Sequence, residues 1–212
     1  MWHVVSLCVG SELVLVSPVK VVQTLFTVIF DPDFLKTVWY SAARILGGFF
    51  TALTLGTVLG WVASRFWVVE TLLRPITAVI KATPVASFII LVLLWFSGKN
   101  LSVIISMLMV FPVIYMNVLE GIRSADEKLL EMAQVFRLSV GKKLLYIYLP
   151  AVAPFFVSAC SVSLGLCWKS GIAAEVIGTP DGSIGAVFYQ AKIFLQTSEL
   201  LAWTVVVVAV SV

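Results

Sequence analysis

Residues 124–150, SADEKLLEMAQVFRLSVGKKLLYIYLP, form a charged segment between two long apolar stretches. Ser124 and Glu127 have the spacing of a capping box, in which the serine hydroxyl and the glutamate carboxylate each bond a free amide at the start of a helix. The spacing therefore predicts an amphipathic helix that begins at Ser124. The apolar stripe of this helix consists of Leu129, Ala133 and Phe136.

A second short helix is predicted directly after the first. Ser139 is a suitable N-cap residue, and Pro150 is expected to end this helix and start the next membrane segment. The apolar residues at helical spacing are Leu144, Leu145 and Tyr148. Two amphipathic helices joined by a bend favour a projection that docks into a groove on a partner. The alternative is an ordinary solvated loop between membrane helices.

The rest of the chain is strongly apolar. Of its 212 residues, 61% are hydrophobic and 12% are charged, and the mean hydropathy is +1.09. This composition excludes an ordinary soluble domain and predicts a single all-α integral membrane domain over residues 1–212. About five or six transmembrane helices are expected, the first and last of them incomplete. The apolar windows are 1–16, 45–64, 84–97, 101–119, 151–176 and 200–212. The net charge of +3 does not indicate a nucleic-acid partner.

The spacing of Glu131, Ala133, Ile147, Leu149 and Pro150 resembles the EAA loop of permease subunits in ATP-binding-cassette importers. Three further segments are similar to permeases that import sulfonates, taurine, nitrate and related small solutes, a group that also includes permeases for vitamin precursors. These segments are SAARILGGF at 41–49, LWFSG at 94–98 and LGLCWKSGIAAEVIG at 164–178. The resemblance therefore extends over nearly the whole chain.

The resemblance implies a type I importer permease fold with several passes through a bacterial inner membrane. It implies a partner ATPase that binds ATP and magnesium, a second and identical permease chain, and an extracytoplasmic solute-binding protein. The coupling loop would cover residues 121–150. Within it, the residues expected to contact the ATPase are Glu131, Ala133, Arg137, Ser139, Gly141, Ile147, Leu149 and Pro150.

Two residues depart from the pattern of the family. Met132 replaces an alanine, which is a mild change because both residues favour helices. Arg137 replaces a glycine, and a side chain is penalised wherever the backbone adopts a positive φ. Either the bend of the loop has moved towards Gly141, or the bend requires no positive φ.

No residues in the chain suggest catalysis or a bound cofactor. The phosphate-binding pattern G-x-x-x-x-G-K-[ST] is absent, so ATP hydrolysis is expected on a separate subunit. Cys160 and Cys167 are about 10 Å apart along one predicted helix, too far for a disulfide, and Cys8 is distant from both. The single histidine, His3, has no neighbours with metal-ligand spacing. We therefore expect no enzyme activity, no metal site and no cofactor in this chain.

Two sets of residues are candidates for helix packing and for the translocation path. The packing stripe repeats every four residues and consists of Gly48, Ala52, Gly56 and Gly60. The path candidates are Ser158, Val162, Gly165, Lys169 and Glu175. Lys169 either snorkels to the outer interface or lines the route of an anionic solute. Glu175 is also the first candidate for a buried structural partner of Lys169.

Competing functional classes make different demands on the sequence. A secondary carrier driven by an ion gradient would be expected to have acidic residues in mid-membrane, whereas Glu12 and Glu175 fall near the ends of predicted helices. A membrane-embedded enzyme would need a catalytic constellation. Pro84 interrupts an apolar run, and either a simple kink or the wall of a cavity would account for it.

Orientation follows from placing the charged loop in the cytoplasm, beside ATP. Alternate counting then places 65–81 inside as well, and 17–43, 98–100 and 178–199 outside. Lysine and arginine are only slightly enriched on the inner side, so the assignment depends on the loop.

Thiol labelling tests this orientation, after Cys8, Cys160 and Cys167 have been replaced. A cysteine at Asn100 should react with a membrane-impermeant thiol reagent in intact cells. A cysteine at Lys142 should react only after the membrane has been permeabilised. The reverse labelling pattern would place the charged loop on the side away from ATP and contradict the orientation.

Overall fold

A computed structural model describes Ser6 and residues 16–211 of the chain, and the described part is helical with short turns and loops. The predicted helix in 1–16, with Glu12, His3 and Cys8, lies outside the described residues except for Ser6 and Val16. The helices are α1 Pro18–Ile29, α2 Phe34–Arg65, α3 Trp67–Ala82, α4 Val85–Leu93, α5 Gly98–Arg123, α6 Glu127–Val135, α7 Val140–Gly178, α8 Ile184–Ile193 and α9 Thr197–Ser211.

Three of the described helices, α2, α5 and α7, are long and apolar enough to cross a membrane. A fourth crossing is formed if the bent pair of α3 and α4 counts as one span, and α1 and α9 are shorter apolar helices. The predicted all-helical membrane fold is therefore confirmed. The described residues thus contain three or four such spans rather than the five or six expected from the sequence. The apolar windows at 84–97 and 200–212 contain the short helices α4 and α9, and most of the window at 1–16 lies outside the described residues.

The chain breaks sharply between α3 and α4, where the axes of the two helices meet at 106°. Pro84 caps α4 with φ −58° and ψ 137°, an extended conformation that a helix cannot continue through. The break therefore exceeds the simple kink considered from the sequence. Beyond it, Ile89 of α4 is 1% exposed in a cluster that includes Leu101 and Ile105 of α5.

Helix α5 lies at the centre of the fold, with α2 packed on one side and α7 on the other. Its fully buried residues include Leu101, Ile105, Val110 and Ile114, so α5 is buried along most of its length. In the most hydropathic 18-residue window of α5, 56% of residues are buried, against 33% for α2 and 11% for α7. The first half of α7 is therefore largely exposed to lipid or to another chain, whereas its second half, from Cys167 to Glu175, is mostly buried against the rest of the fold.

Small residues set the distance between α2 and α5. Gly48, Ala52, Gly56 and Gly60 are all buried on the face of α2 that contacts α5. A Cβ atom on Gly48 would overlap the Val103 carbonyl oxygen and lie 2.8 Å from the Ser106 Cβ. Gly171 of α7 lies at the same junction, where a Cβ atom would meet both Ile45 of α2 and Ser106 of α5.

Alanine substitutions at adjacent glycines test this close packing. Gly48→Ala should lower the free energy of unfolding by about 1–3 kcal/mol, because the added methyl meets the backbone of α5. Gly47→Ala should be neutral or should stabilise by up to about 1 kcal/mol, because a Cβ there has no neighbour within 4 Å and alanine favours helices. Unfolding in graded denaturing detergent, followed by tryptophan fluorescence, measures both. Equal effects of the two substitutions would contradict the packing.

Candidate functional site

The first loop helix, α6, begins at Glu127 and is capped by Asp126. The Asp126 carboxylate accepts a hydrogen bond from the Lys128 amide at 2.9 Å. The predicted capping box is therefore wrong. Ser124 instead ends α5 with helical backbone angles, and its hydroxyl donates to the Gly121 carbonyl at 2.9 Å. Asp is as good an N-cap residue as Ser, so the sequence also allows Asp126, two residues later, as the N-cap of this helix.

The loop has a small apolar core of its own. Ala125, Ala133 and Ile147 are all buried and form one apolar cluster. The half-buried residues packed around them are Leu130, Leu138, Tyr148 and Ala151. Only Ala133 of the predicted apolar stripe faces this core, whereas Leu129 and Phe136 are exposed. The stripe is wrong because α6 packs on its Leu130 side against the start of α7.

Arg137 forms the bend of the loop with a positive φ of 52°. The Arg137 amide donates to the Gln134 carbonyl at 3.0 Å, and the Leu138 amide donates to the Ala133 carbonyl at 2.9 Å. These two bonds form a Schellman motif, which ends a helix at a left-handed residue that is usually glycine. Both alternatives considered from the sequence are therefore wrong: the bend has not moved to Gly141, and it does use a positive φ.

The second loop helix and the following membrane helix are continuous. Ser139 occupies the N-cap position before Val140, although its hydroxyl makes no capping hydrogen bond. Residues Leu144–Tyr148 form a π-helical turn, in which the Leu149 amide donates to the Leu144 carbonyl. The chain then passes through Pro150 without a break, so the prediction that Pro150 ends the helix is wrong. The wider turn loosens the regular helical hydrogen bonding just before a residue that lacks an N–H group.

The eight residues predicted to couple to an ATPase take different positions in the loop. Ala133 and Ile147 are buried in the loop core, and Arg137 forms the bend. The remaining residues are exposed: Glu131, Ser139, Gly141, Leu149 and Pro150. Among the described residues, the Glu131 carboxylate has no ion-pair or hydrogen-bonding partner.

Three large apolar side chains accompany Glu131 on the outer surface of the loop. Val135, Phe136 and Val140 are exposed by 79%, 71% and 83% respectively. Together with Glu131 they form a surface that we call the loop tip. Exposed apolar side chains gathered on a short, internally packed projection are typical of a surface that another protein covers.

An ion pair holds the base of the loop. Arg123 is the last residue of α5, and its guanidinium contacts the Glu70 carboxylate of α3 at 2.5 Å. No local sequence pattern indicates this pair, since its members are 53 residues apart on different helices. The ion pair connects the bent α3–α4 segment to the point where the chain enters the loop.

The candidate path residues lie mostly on the open face of α7. Ser158, Val162 and Lys169 are exposed, and Gly165 is half-buried with open space where a side chain would project. Among the described residues, Lys169 has no ion-pair partner. This face is therefore available to solute or to a second chain.

Glu175 does not share the open face, and its assignment to the path requires correction. The residue is 0% exposed, and its carboxylate accepts a hydrogen bond from the Ser41 hydroxyl at 2.6 Å. Ser41 in turn accepts from the Ile184 amide at 2.9 Å, and a Cβ on Gly185 would overlap the Glu175 backbone. Glu175 thus joins α2, α7 and the start of α8, and its partner is Ser41 rather than Lys169.

The sequence was compared with known proteins. Residues 52–212 match the family described as "Binding-protein-dependent transport system inner membrane component". The putative aliphatic sulfonates transport permease protein SsuC of Bacillus subtilis (strain 168) is 30% identical over 97% of this chain and 75% of its own length. The taurine transport system permease protein TauC of Escherichia coli (strain K12) is 27% identical over 99% and 78%. The nitrate import permease protein NrtB of Synechococcus elongatus is 25% identical over 95% and 83%.

Substitution of Arg137 tests the geometry of the bend. Arg137→Gly should stabilise α6 by about 1 kcal/mol, because glycine adopts a positive φ without the Cβ penalty. Arg137→Ala, which removes the same charge but keeps the Cβ, should give no such gain. Amide hydrogen exchange of α6 measures its local stability. Equal protection in the two variants would contradict the left-handed conformation.

Proposed function

This chain belongs to the family of inner membrane components of binding-protein-dependent transport systems, and from that membership we propose that it is the permease subunit of an ATP-driven importer. In this proposal, ATP and magnesium are bound by a separate ATPase subunit that docks on the loop. A solute-binding protein delivers the solute to the opposite side of the membrane. The family description assigns its members to the inner membrane, and the long apolar helices of the chain agree with that location.

The loop tip is the observation that supports this function best. A rigid projection with a carboxylate and three exposed apolar side chains suits a cleft on a partner, because apolar burial supplies affinity and Glu131 supplies orientation. The loop core joins α6 directly to the beginning of α7. A push on the loop tip would therefore be passed to α7 rather than absorbed within the loop.

A homodimer of permease chains would complete the translocation path. Only 11% of the most apolar 18-residue window of α7 is buried within the chain, so a second chain has an exposed helical face to cover. We propose that the exposed face of α7 lines the path between two copies. The residues concerned are Ser158, Val162, Gly165 and Lys169.

The proposed solute is a small oxyanion of the sulfonate or nitrate type, taurine included. The printed names of three relatives assign them aliphatic sulfonates, taurine and nitrate. Lys169 gives this chain one exposed cation on the proposed path, which would attract an anion through an aqueous route.

The distribution of acidic residues favours ATP over an ion gradient as the energy source. In the three long helices of the described part, the acidic residues are Glu120 and Glu175. Glu120 lies one turn from the end of α5, and Glu175 is bonded to Ser41 in the interior. Neither position suits a carboxylate that binds and releases a coupling ion in mid-membrane.

Charge reversal at Glu131 tests the proposed docking site. Glu131→Lys should weaken the complex with the ATPase by about 2 kcal/mol or more and abolish uptake, since an inverted charge at an interface is strongly unfavourable. The helical fold should persist because Glu131 is exposed and unpaired. Co-purification with the ATPase after co-expression, together with solute uptake, provides the measurement.

Asp181→Lys is the matched control for this experiment. Asp181 is also exposed, but it follows the far end of α7 and is expected on the extracytoplasmic side of the membrane. This variant should retain the ATPase at the wild-type level. Normal ATPase binding and uptake by the Glu131→Lys variant would refute the proposed docking site.

A further inference from the structure

Two adjoining cavities lie between α2, α5 and the start of α7, beside the base of the loop. The first, which we call the head cavity, has a volume of about 350 Å³. It is lined by Trp61, Ser64, Arg65, Ile122, Val140, Lys143, Leu144 and Tyr148. The second, which we call the tail cavity, has a volume of about 200 Å³. It is lined by Thr57, Trp61, Val118, Ile122, Leu144, Tyr148, Leu149 and Val152.

The two cavities adjoin each other and differ in chemistry. Four residues line both of them: Trp61, Ile122, Leu144 and Tyr148. The head cavity contains the cations Arg65 and Lys143, and no acidic residue lines it. The tail cavity contains no charged residue and extends along the helices towards the middle of the membrane. The pair of cavities therefore has a positively charged end and an apolar end.

Lys143 gives the head cavity an unusual charge environment. Its side chain is half-buried, whereas the neighbouring Lys142 is exposed and lies outside both cavities. No carboxylate in the described part of the chain lies within ion-pair distance of Lys143 or Arg65. Lys143 is half-buried without a counter-charge, and Arg65 is an exposed cation at the rim of the same cavity, so an anion in the head cavity would pair with both.

We propose that these cavities bind one anionic phospholipid, with its phosphate between Arg65 and Lys143 and part of an acyl chain in the tail cavity. Trp61 and Arg65 at the end of α2 are residue types that anchor helices at the membrane interface, so the head cavity lies at headgroup depth. Basic pockets between membrane helices are known to select anionic headgroups. The assignment to the inner leaflet rests on the proposed function, which places the loop in the cytoplasm.

The position of the bound lipid gives it a mechanical consequence. Val140, Lys143 and Leu144 belong to the first turns of α7, directly after the bend at Arg137. Arg65 ends α2 and Ile122 is near the end of α5. A lipid in this place would therefore connect the loop to the two helices that pack beneath it.

Native mass spectrometry of the purified permease, released from nanodiscs, tests the proposal. The nanodiscs contain phosphatidylglycerol and phosphatidylcholine in equal amounts. The wild-type chain should retain phosphatidylglycerol preferentially. Arg65→Gln and Lys143→Gln should each reduce that retention about fivefold, since each cation near an anionic headgroup contributes to binding. Lys142→Gln, the matched control, should retain phosphatidylglycerol at the wild-type level.

A substitution in the tail cavity separates a lipid from a free anion. Thr57→Trp should fill the tail cavity and reduce phosphatidylglycerol retention with both cations still in place. Added inorganic phosphate should not displace the lipid. Displacement by phosphate together with unchanged retention in Thr57→Trp would identify a simple anion site and overturn the proposal.

Other outcomes identify a different occupant. If Arg65→Gln and Lys143→Gln leave lipid retention unchanged but reduce the proportion of permease observed as a dimer, a second chain covers the cavities and the proposal is wrong. Equal losses in Lys142→Gln and Lys143→Gln would show a general effect of surface charge and would also overturn it. Because the measurement uses the permease alone, its result is independent of ATPase docking at Glu131.

Discussion

The close approach of α2 and α7 to the central helix α5 is the constraint on which the rest of the structure depends. Ser106 lies where the three helices meet, with Gly48 on one side and Gly171 on the other. The Ser106 hydroxyl donates to the Cys167 carbonyl at 3.2 Å, so the junction has a polar contact as well as close packing. In a membrane, burial of apolar surface does not drive helices together, and small residues that permit tight van der Waals contact take its place.

A buried polar junction fixes the far end of the same bundle. Ser41, Glu175 and the start of α8 are joined through hydrogen bonds, and Gly98 lies against the Gly178 carbonyl. The Ser41 hydroxyl bonds one oxygen of this buried carboxylate, and tertiary structure must hold that partner in place because an unbonded polar group is costly to bury. The three segments that resemble the sulfonate, taurine and nitrate permeases meet here, although they are distant in sequence. Ser41 and Glu175, which belong to two of these segments, hold helices of the bundle together.

At the opposite end of the bundle, the charged loop projects beyond the long helices. The loop has its own apolar core around Ala133 and Ile147, and the Glu70–Arg123 ion pair holds its base. Because α6 ends in a hydrogen-bonded Schellman motif and α7 continues without interruption, the loop has little freedom to bend internally. This rigidity suits the proposed docking of an ATPase, since a flexible loop would absorb a displacement imposed on it.

Local sequence patterns were enough to predict the helical membrane fold, the existence of the loop and the small-residue stripe of α2, because hydropathy and helical periodicity are local properties. It also marked Arg137 as a departure from a glycine, although not the conformation of that residue. Tertiary structure decided that Ser124 ends α5 while Asp126 caps α6, since both residues can cap and only the length of α5 selects between them. It likewise turned Leu130 rather than Leu129 inwards, and buried Glu175 against Ser41. These outcomes depend on contacts between residues far apart in the chain, which no local pattern encodes.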